Sequence, residues 1–104
     1  MAKYPIFLEL DDRNVVVIGG GVVAFRKVQV LLATGARLLV VAEHIQDRLA
    51  SLCQNRDAKL IKSTYSKDYL DRAFLVIAAT DDYSLNKQIY EDCRQLKILC
   101  NVVD

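Results

Sequence analysis

The sequence predicts a single α/β domain with a mainly parallel sheet and helices on both faces, and three observations carry that expectation. Short β-branched runs alternate with longer segments of helical period, which is the pattern of successive βαβ units. The run FLVIAA, Phe74 to Ala79, is apolar without a break, as suits a central strand buried on both faces. A glycine-rich turn, Gly19-Gly20-Gly21, separates the first strand from the first helix. The chain has 104 residues against the roughly 150 of a typical domain, so one domain spanning 1–104 is expected.

Asn14 to Ile18 (NVVVI) is the first expected strand. Ala24, Val28, Leu31 and Leu32 then recur at i, i+4, i+7 and i+8, while Arg26, Lys27 and Gln29 lie off that stripe, which predicts an amphipathic helix. Gly35 stands where this helix should stop. Arg37 to Ala42 (RLLVVA) reads as a second strand, and Ile45 to Gln54 as a helix with Ile45, Leu49 and Leu52 on one side. Lys59 to Lys62 is a weaker strand, Ser66 to Leu70 a short helical turn, and Phe74 to Ala79 the buried strand. Asp82 or Ser84 caps a helix carrying Leu85, Ile89, Cys93 and Leu96, and Ile98 to Val103 supplies a fifth strand. Tyr4 to Leu10 looks extended.

Composition narrows the function. Fourteen Lys and Arg against 13 Asp and Glu leave a net charge of +1, which argues against a chain built to coat nucleic acid or an anionic membrane. Hydrophobic residues make up 53%, as in a packed globular domain. Cys53, Cys93 and Cys100 are odd in number and form no CxxC pair, so neither a disulfide framework nor a metal site is suggested, and a reducing cytoplasm fits best. The apolar start Ile6-Phe7-Leu8 is broken by Glu9, unlike a secretory signal, and no run approaches the roughly 18 residues of a membrane span.

Gly19, Gly21 and Ala24 fill the three small positions of a GxGxxG/A turn between a strand and a helix. The first glycine allows the tight turn, the second lets backbone reach a pyrophosphate, and the third small residue lets helix pack close to strand. The helix start then offers free amides and a positive dipole end to phosphates. Glu43 closes the second strand 22 positions after Gly21, close to the roughly 20 at which an acid receives the ribose hydroxyls of NAD. A solvated strand-end carboxylate is the plainer reading of Glu43. His44 stands alone, without a second ligand or a nucleophile, and reads as a surface or cofactor-rim residue. Thr80, at the exit of the buried strand, is a candidate for touching the cofactor. Asp81 and Asp82 are explained by helix capping and the dipole. Asp104 ends the last strand at the same edge, and spacing alone leaves it unassigned.

Together, Pro5-Ile6-Phe7, the stretch Val17 to Ala24, Arg26-Lys27, Leu31-Leu32, Gly35-Ala36-Arg37, Ile77 to Asp82, Asn86 and Asn101-Val102-Val103-Asp104 resemble the NAD-binding domain of siroheme synthases. These are precorrin-2 dehydrogenases, often also sirohydrochlorin ferrochelatases. The resemblance runs over essentially the whole chain. It implies a Rossmann-type, five-stranded sheet of order 3-2-1-4-5, with NAD-dependent oxidation of precorrin-2 to sirohydrochlorin, in some members followed by iron insertion. It implies NAD contacts at Val22, Val23, Glu43 and His44, and a role for Asp104 in proton transfer and in chelation. Position 22 is usually acidic in the family and is Val22 here, so a contact there is expected through backbone, and the proline that often follows the second strand is missing. Family members continue past the NVVD motif into a dimerisation region and a helical segment that complete the tetrapyrrole site and give homodimers. Those regions are expected to be absent from these 104 residues. Two other readings stay open: a regulatory NAD-sensing module without catalysis, and a Rossmann fold that binds no nucleotide.

Overall fold

Alternation along each strand decides which helix it meets. In the computed structural model, which describes residues 1–56 and 58–103, five strands form one sheet. These are β1 (Asn14–Ile18), β2 (Arg37–Ala42), β3 (Lys59–Lys62), β4 (Leu75–Ala78) and β5 (Leu99–Val102), in the order β3-β2-β1-β4-β5. The order is the expected one, and every pairing is parallel rather than most of them. Helices α1 (Val22–Leu32), α2 (Asp47–Asn55) and α3 (Tyr83–Leu96) and a 3₁₀ turn at Lys67–Leu70 connect the strands.

Successive side chains of a strand point to opposite faces. Val15 and Val17 of β1 therefore pack with Ala24, Val28 and Leu31 of α1 and with Leu49 and Cys53 of α2. Val16 and Ile18 pack on the other side with Leu70 and with Ile89 and Cys93 of α3. β4 is buried along its whole length, which is why its sequence lacks polar alternation. Each such Val, Leu or Ile contributes about 1.5–3 kcal/mol on full burial, so the central strands anchor the edge that they share.

Some boundaries differ from expectation. α2 begins at Asp47 rather than Ile45, because the Gln46 N–H donates to the Gly20 carbonyl at 2.8 Å and holds the chain in a turn. α1 ends at Leu32, and Gly35 lies three residues further on, at φ +79°, in the turn into β2. β4 and β5 are each shorter than expected by one residue at both ends, within the usual fraying of element ends. Tyr4 to Leu10 joins no strand: Tyr4, Ile6 and Phe7 are exposed and only Leu10 reaches the core. Among the described residues no helix is long and apolar enough to cross a membrane.

Candidate functional site

Parallel strands deliver all their carboxyl ends to one edge, and a cleft of about 890 Å³ lies along it. It sits where the chain leaves β1 toward β2 on one side and β4 continues on the other, the switch point at which open α/β sheets bind ligands. Residues Gly19 to Val23 follow β1, Glu43 to Gln46 follow β2, Ser63 to Tyr65 follow β3 and Ala79 to Asp82 follow β4, and all of them line the cleft together with Leu85. The seven residues that the sequence singles out for a cofactor, Gly19, Gly21, Val22, Val23, Glu43, His44 and Thr80, are all in that lining. Asp104 lies outside the described residues. The chain leading to it is held in place, since the Val103 N–H donates to the Ala78 carbonyl at 3.0 Å.

The three glycines differ in what makes them glycine. Gly19 has φ +142°, and a Cβ there would run into the Ala79 carbonyl. A Cβ on Gly20 would meet the His44 carbonyl. Both requirements come from the fold itself, and that of Gly20 is invisible in a motif that counts only Gly19, Gly21 and Ala24. Gly21 is extended (φ −100°, ψ −158°), and a Cβ there would meet nothing within 4 Å. No part of the described polypeptide requires glycine at position 21.

Gly21 is also the N-cap of α1, with no side-chain cap and no acid in the first turn. The first helical bond runs from the Phe25 N–H to the Gly21 carbonyl at 3.0 Å. The amides of residues 21 to 24 therefore have no partner within the helix. They meet the positive end of the dipole beside a side-chain-free approach, an arrangement whose electrostatics favour an anion. Glu43 and His44 are exposed on the next turn, and among the described residues Glu43 belongs to neither ion pair, Arg37–Asp12 or Arg72–Asp71.

The start of α3 is satisfied internally. The Asp82 carboxylate accepts from the Leu85 N–H at 3.2 Å, so Asp82, not Ser84, is the cap. Buried Asn86 closes the turn before it: its Oδ1 accepts from the Thr80 hydroxyl at 2.6 Å and from the Thr80 N–H at 3.2 Å, and its Nδ2 donates to the Thr80 carbonyl at 3.0 Å. The Thr80 hydroxyl has one proton and gives it to Asn86, which leaves its oxygen to accept from the Asp82 N–H at 3.2 Å.

Sequence reasoning missed the wall that follows β3. Tyr65 donates its phenol proton to Asp92 at 2.6 Å, and the Gln88 side chain donates to the same carboxylate at 2.9 Å. Burial first, and then the bond to Asp92, push the Tyr65 phenol well above its ordinary range, so it stays protonated and keeps donating. The one available signal was the Gln88 and Asp92 pair at i, i+4 on α3. Cys93 is no nucleophile: burial first, and then the neighbouring Cys100, push its thiol up to about 12.

A family model described as "Putative NAD(P)-binding" matches residues 6–104. The chain is 42% identical to siroheme synthase 1 of Serratia proteamaculans over 104 residues, all of this chain and 22% of that protein. It is 47% identical to the siroheme synthase of Nitrosospira multiformis, with 96% of this chain and 22% of that protein covered. Among solved structures it is similar to SirC, precorrin-2 dehydrogenase, with TM-score 0.80 and 27% identity over 95% of this chain and 48% of that one. The chain thus spans about a fifth of the length of these curated siroheme synthases. By the match over residues 6–104, the chain belongs to this NAD(P)-binding family.

Proposed function

We propose that the chain is the NAD-binding domain of a precorrin-2 dehydrogenase in siroheme biosynthesis. Gly21 carries the reading, as a glycine that the described polypeptide does not itself require, set at an uncapped helix start in the cleft along the carboxyl edge. The siroheme synthase relatives and the structural neighbour support it.

The residues present fit a dinucleotide. Gly19 and Gly20 hold the turn, and the backbone amides of Gly21, Val22 and Val23 bind the pyrophosphate. Glu43 accepts from ribose hydroxyls and disfavours a 2′-phosphate: like charges about 4 Å apart cost about 1 kcal/mol in water and about 4 at an effective dielectric of 20. His44 forms the rim, and Thr80, held by Asn86, shapes the side nearer β4. NAD, when bound, supplies the hydride acceptor that a dehydrogenation needs. Asp104 moves a proton at the substrate, which is precorrin-2. The homodimer of the resembling family and a cytoplasmic location belong to the same reading.

The test is NADH formation from precorrin-2 by the native gene product that contains this chain, beside its Asp104→Ala variant. Turnover in the parent and a loss of about 10² to 10⁴ in rate in the variant are expected. A parent that binds NAD without oxidising precorrin-2 would instead fit a sensing module, and a variant as fast as the parent would remove Asp104 from the chemistry.

A further inference from the structure

The glycines with the helix start, the strand-end acid, and the Thr80 turn closed by Asn86 account for three of the turns around the cleft, but not for the one after β3. There Tyr65 lines the cleft while packing on the core layer beneath α3. Its phenol is bonded to Asp92, a residue only 6% exposed. Asp92 is in neither ion pair among the described residues, and its two side-chain partners, Tyr65 and Gln88, are neutral.

A carboxylate in a core is a poor choice for stability alone. Replacing both members of a buried hydrogen-bonded pair by apolar groups of similar shape is often close to neutral, so two hydrophobic residues would serve the packing as well. What the pair adds is direction. The segment that carries Tyr65 is held two residues earlier, where the Ser63 N–H donates to the Ala42 carbonyl at 3.0 Å, and the Tyr65 ring is held at its tip on α3. Lys67 ties the same segment to α3 through Gln95 at 3.0 Å. The ring therefore has one orientation beside the cleft.

Strand order says which part of a dinucleotide meets this ring. Along the edge the turns run β3, β2, β1, β4. With the pyrophosphate at the β1 turn and a ribose at Glu43 after β2, the group beyond that ribose reaches Ser63 to Tyr65. That group is the adenine base, and an aromatic face is a surface on which a base stacks. Resting on the cofactor reading above, we infer that Tyr65 is a specificity-determining residue that receives the adenine ring, and that Asp92 is the positioning residue that holds Tyr65 in place.

The experiment separates the two halves of the cofactor. NAD, ADP-ribose and nicotinamide mononucleotide are titrated by NMR, which also reads weak binding, against the parent and against Tyr65→Leu, Tyr65→Phe, Asp92→Ala and the double variant Tyr65→Phe/Asp92→Ala. Thermal unfolding of each is followed in parallel. Tyr65→Leu should weaken NAD and ADP-ribose by about tenfold or more and leave nicotinamide mononucleotide unchanged. Tyr65→Phe keeps the ring and cuts the bond, so it should weaken ADP-ribose by only about threefold. Asp92→Ala removes the acceptor of the phenol and should do the same, and the double variant should be no worse than either, because one interaction is removed twice. Equal losses for both half-cofactors, or an unchanged ADP-ribose affinity in Tyr65→Leu, would overturn the assignment. A parent that binds none of the three ligands would overturn the cofactor reading itself, which is a different failure.

Discussion

Two helices begin at the same edge of the same sheet, α1 after β1 and α3 after β4, and they solve the problem of their unbonded amides in opposite ways. α3 closes on itself: Asp82 caps the Leu85 N–H, and Asn86 bonds the N–H, carbonyl and hydroxyl of Thr80. α1 has no side-chain cap, no acid in its first turn, and at its N-cap a glycine that faces open space. A helix start left open beside a cleft is less stable than it could be, by roughly the few tenths of a kcal/mol that separate a glycine N-cap from a side-chain cap. The contrast teaches that the ligand position can be found by asking which backbone groups a fold leaves without partners when its neighbour shows that it could have supplied them.

The largest effect expected is at Gly19, where the fold alone sets the requirement. Valine at φ +142° is strained, and its Cβ would force the Ala79 carbonyl away and part the two turns. Gly19→Val should lose about 3–5 kcal/mol of stability by urea unfolding, with or without nucleotide. A loss under about 1 kcal/mol would mean that the fold does not need this glycine, and the distinction drawn between Gly19 and Gly21 would collapse.

Much of this contrast was legible in the sequence. The strand sequences, the stripe Ala24, Val28, Leu31 and the capping acid Asp82 are local patterns, and each local pattern agrees with the fold. The parts that were not legible depend on partners distant in the chain. Gly20 must be small because of the His44 carbonyl, a residue on another turn. α2 starts late for the same reason, as the Gln46 N–H is drawn to Gly20. Tyr65 meets Asp92 across 27 positions, and nothing in a weak strand followed by a polar turn announces such a bond. Thr80 lines the cleft, yet a list of candidate contacts could not show that its hydroxyl proton is committed to Asn86.

An intermediate effect sharpens the comparison by giving α1 the cap that α3 has. Gly21→Asp places a carboxylate where it accepts from the free amides of the first turn, and position 21 has the room and an ordinary backbone conformation. The protein without nucleotide should gain roughly a few tenths of a kcal/mol, or about 1–3 °C in Tm. NAD affinity should fall by about 100-fold or more, because the side chain fills the approach and its charge opposes the pyrophosphate. Calorimetric titration with NAD and thermal unfolding without it read the two effects separately. Opposite signs are the mark of a site left open for a ligand, whereas a variant that binds NAD normally would make Gly21 an incidental turn residue.

The smallest effect tests the closed helix start. Asp82→Ala removes the acceptor of the Leu85 N–H, so stability should fall by about 1 kcal/mol and Tm by about 4–8 °C. Asp82→Asn retains a side-chain oxygen that can accept the same bond and should recover most of that loss. NAD affinity should stay within about threefold in both, and any change should be toward tighter binding, since a carboxylate at the margin of the cleft is lost. The sign matters more than the size. If Asp82 only caps α3, Asn restores stability and neither variant weakens NAD; if NAD binding falls tenfold in both while stability follows the cap rule, Asp82 contacts the cofactor and the α3 start is part of the site. The Thr80–Asn86 bonds would then be read as holding a ligand-binding turn in shape, and the division into one open and one closed helix start would have to be given up.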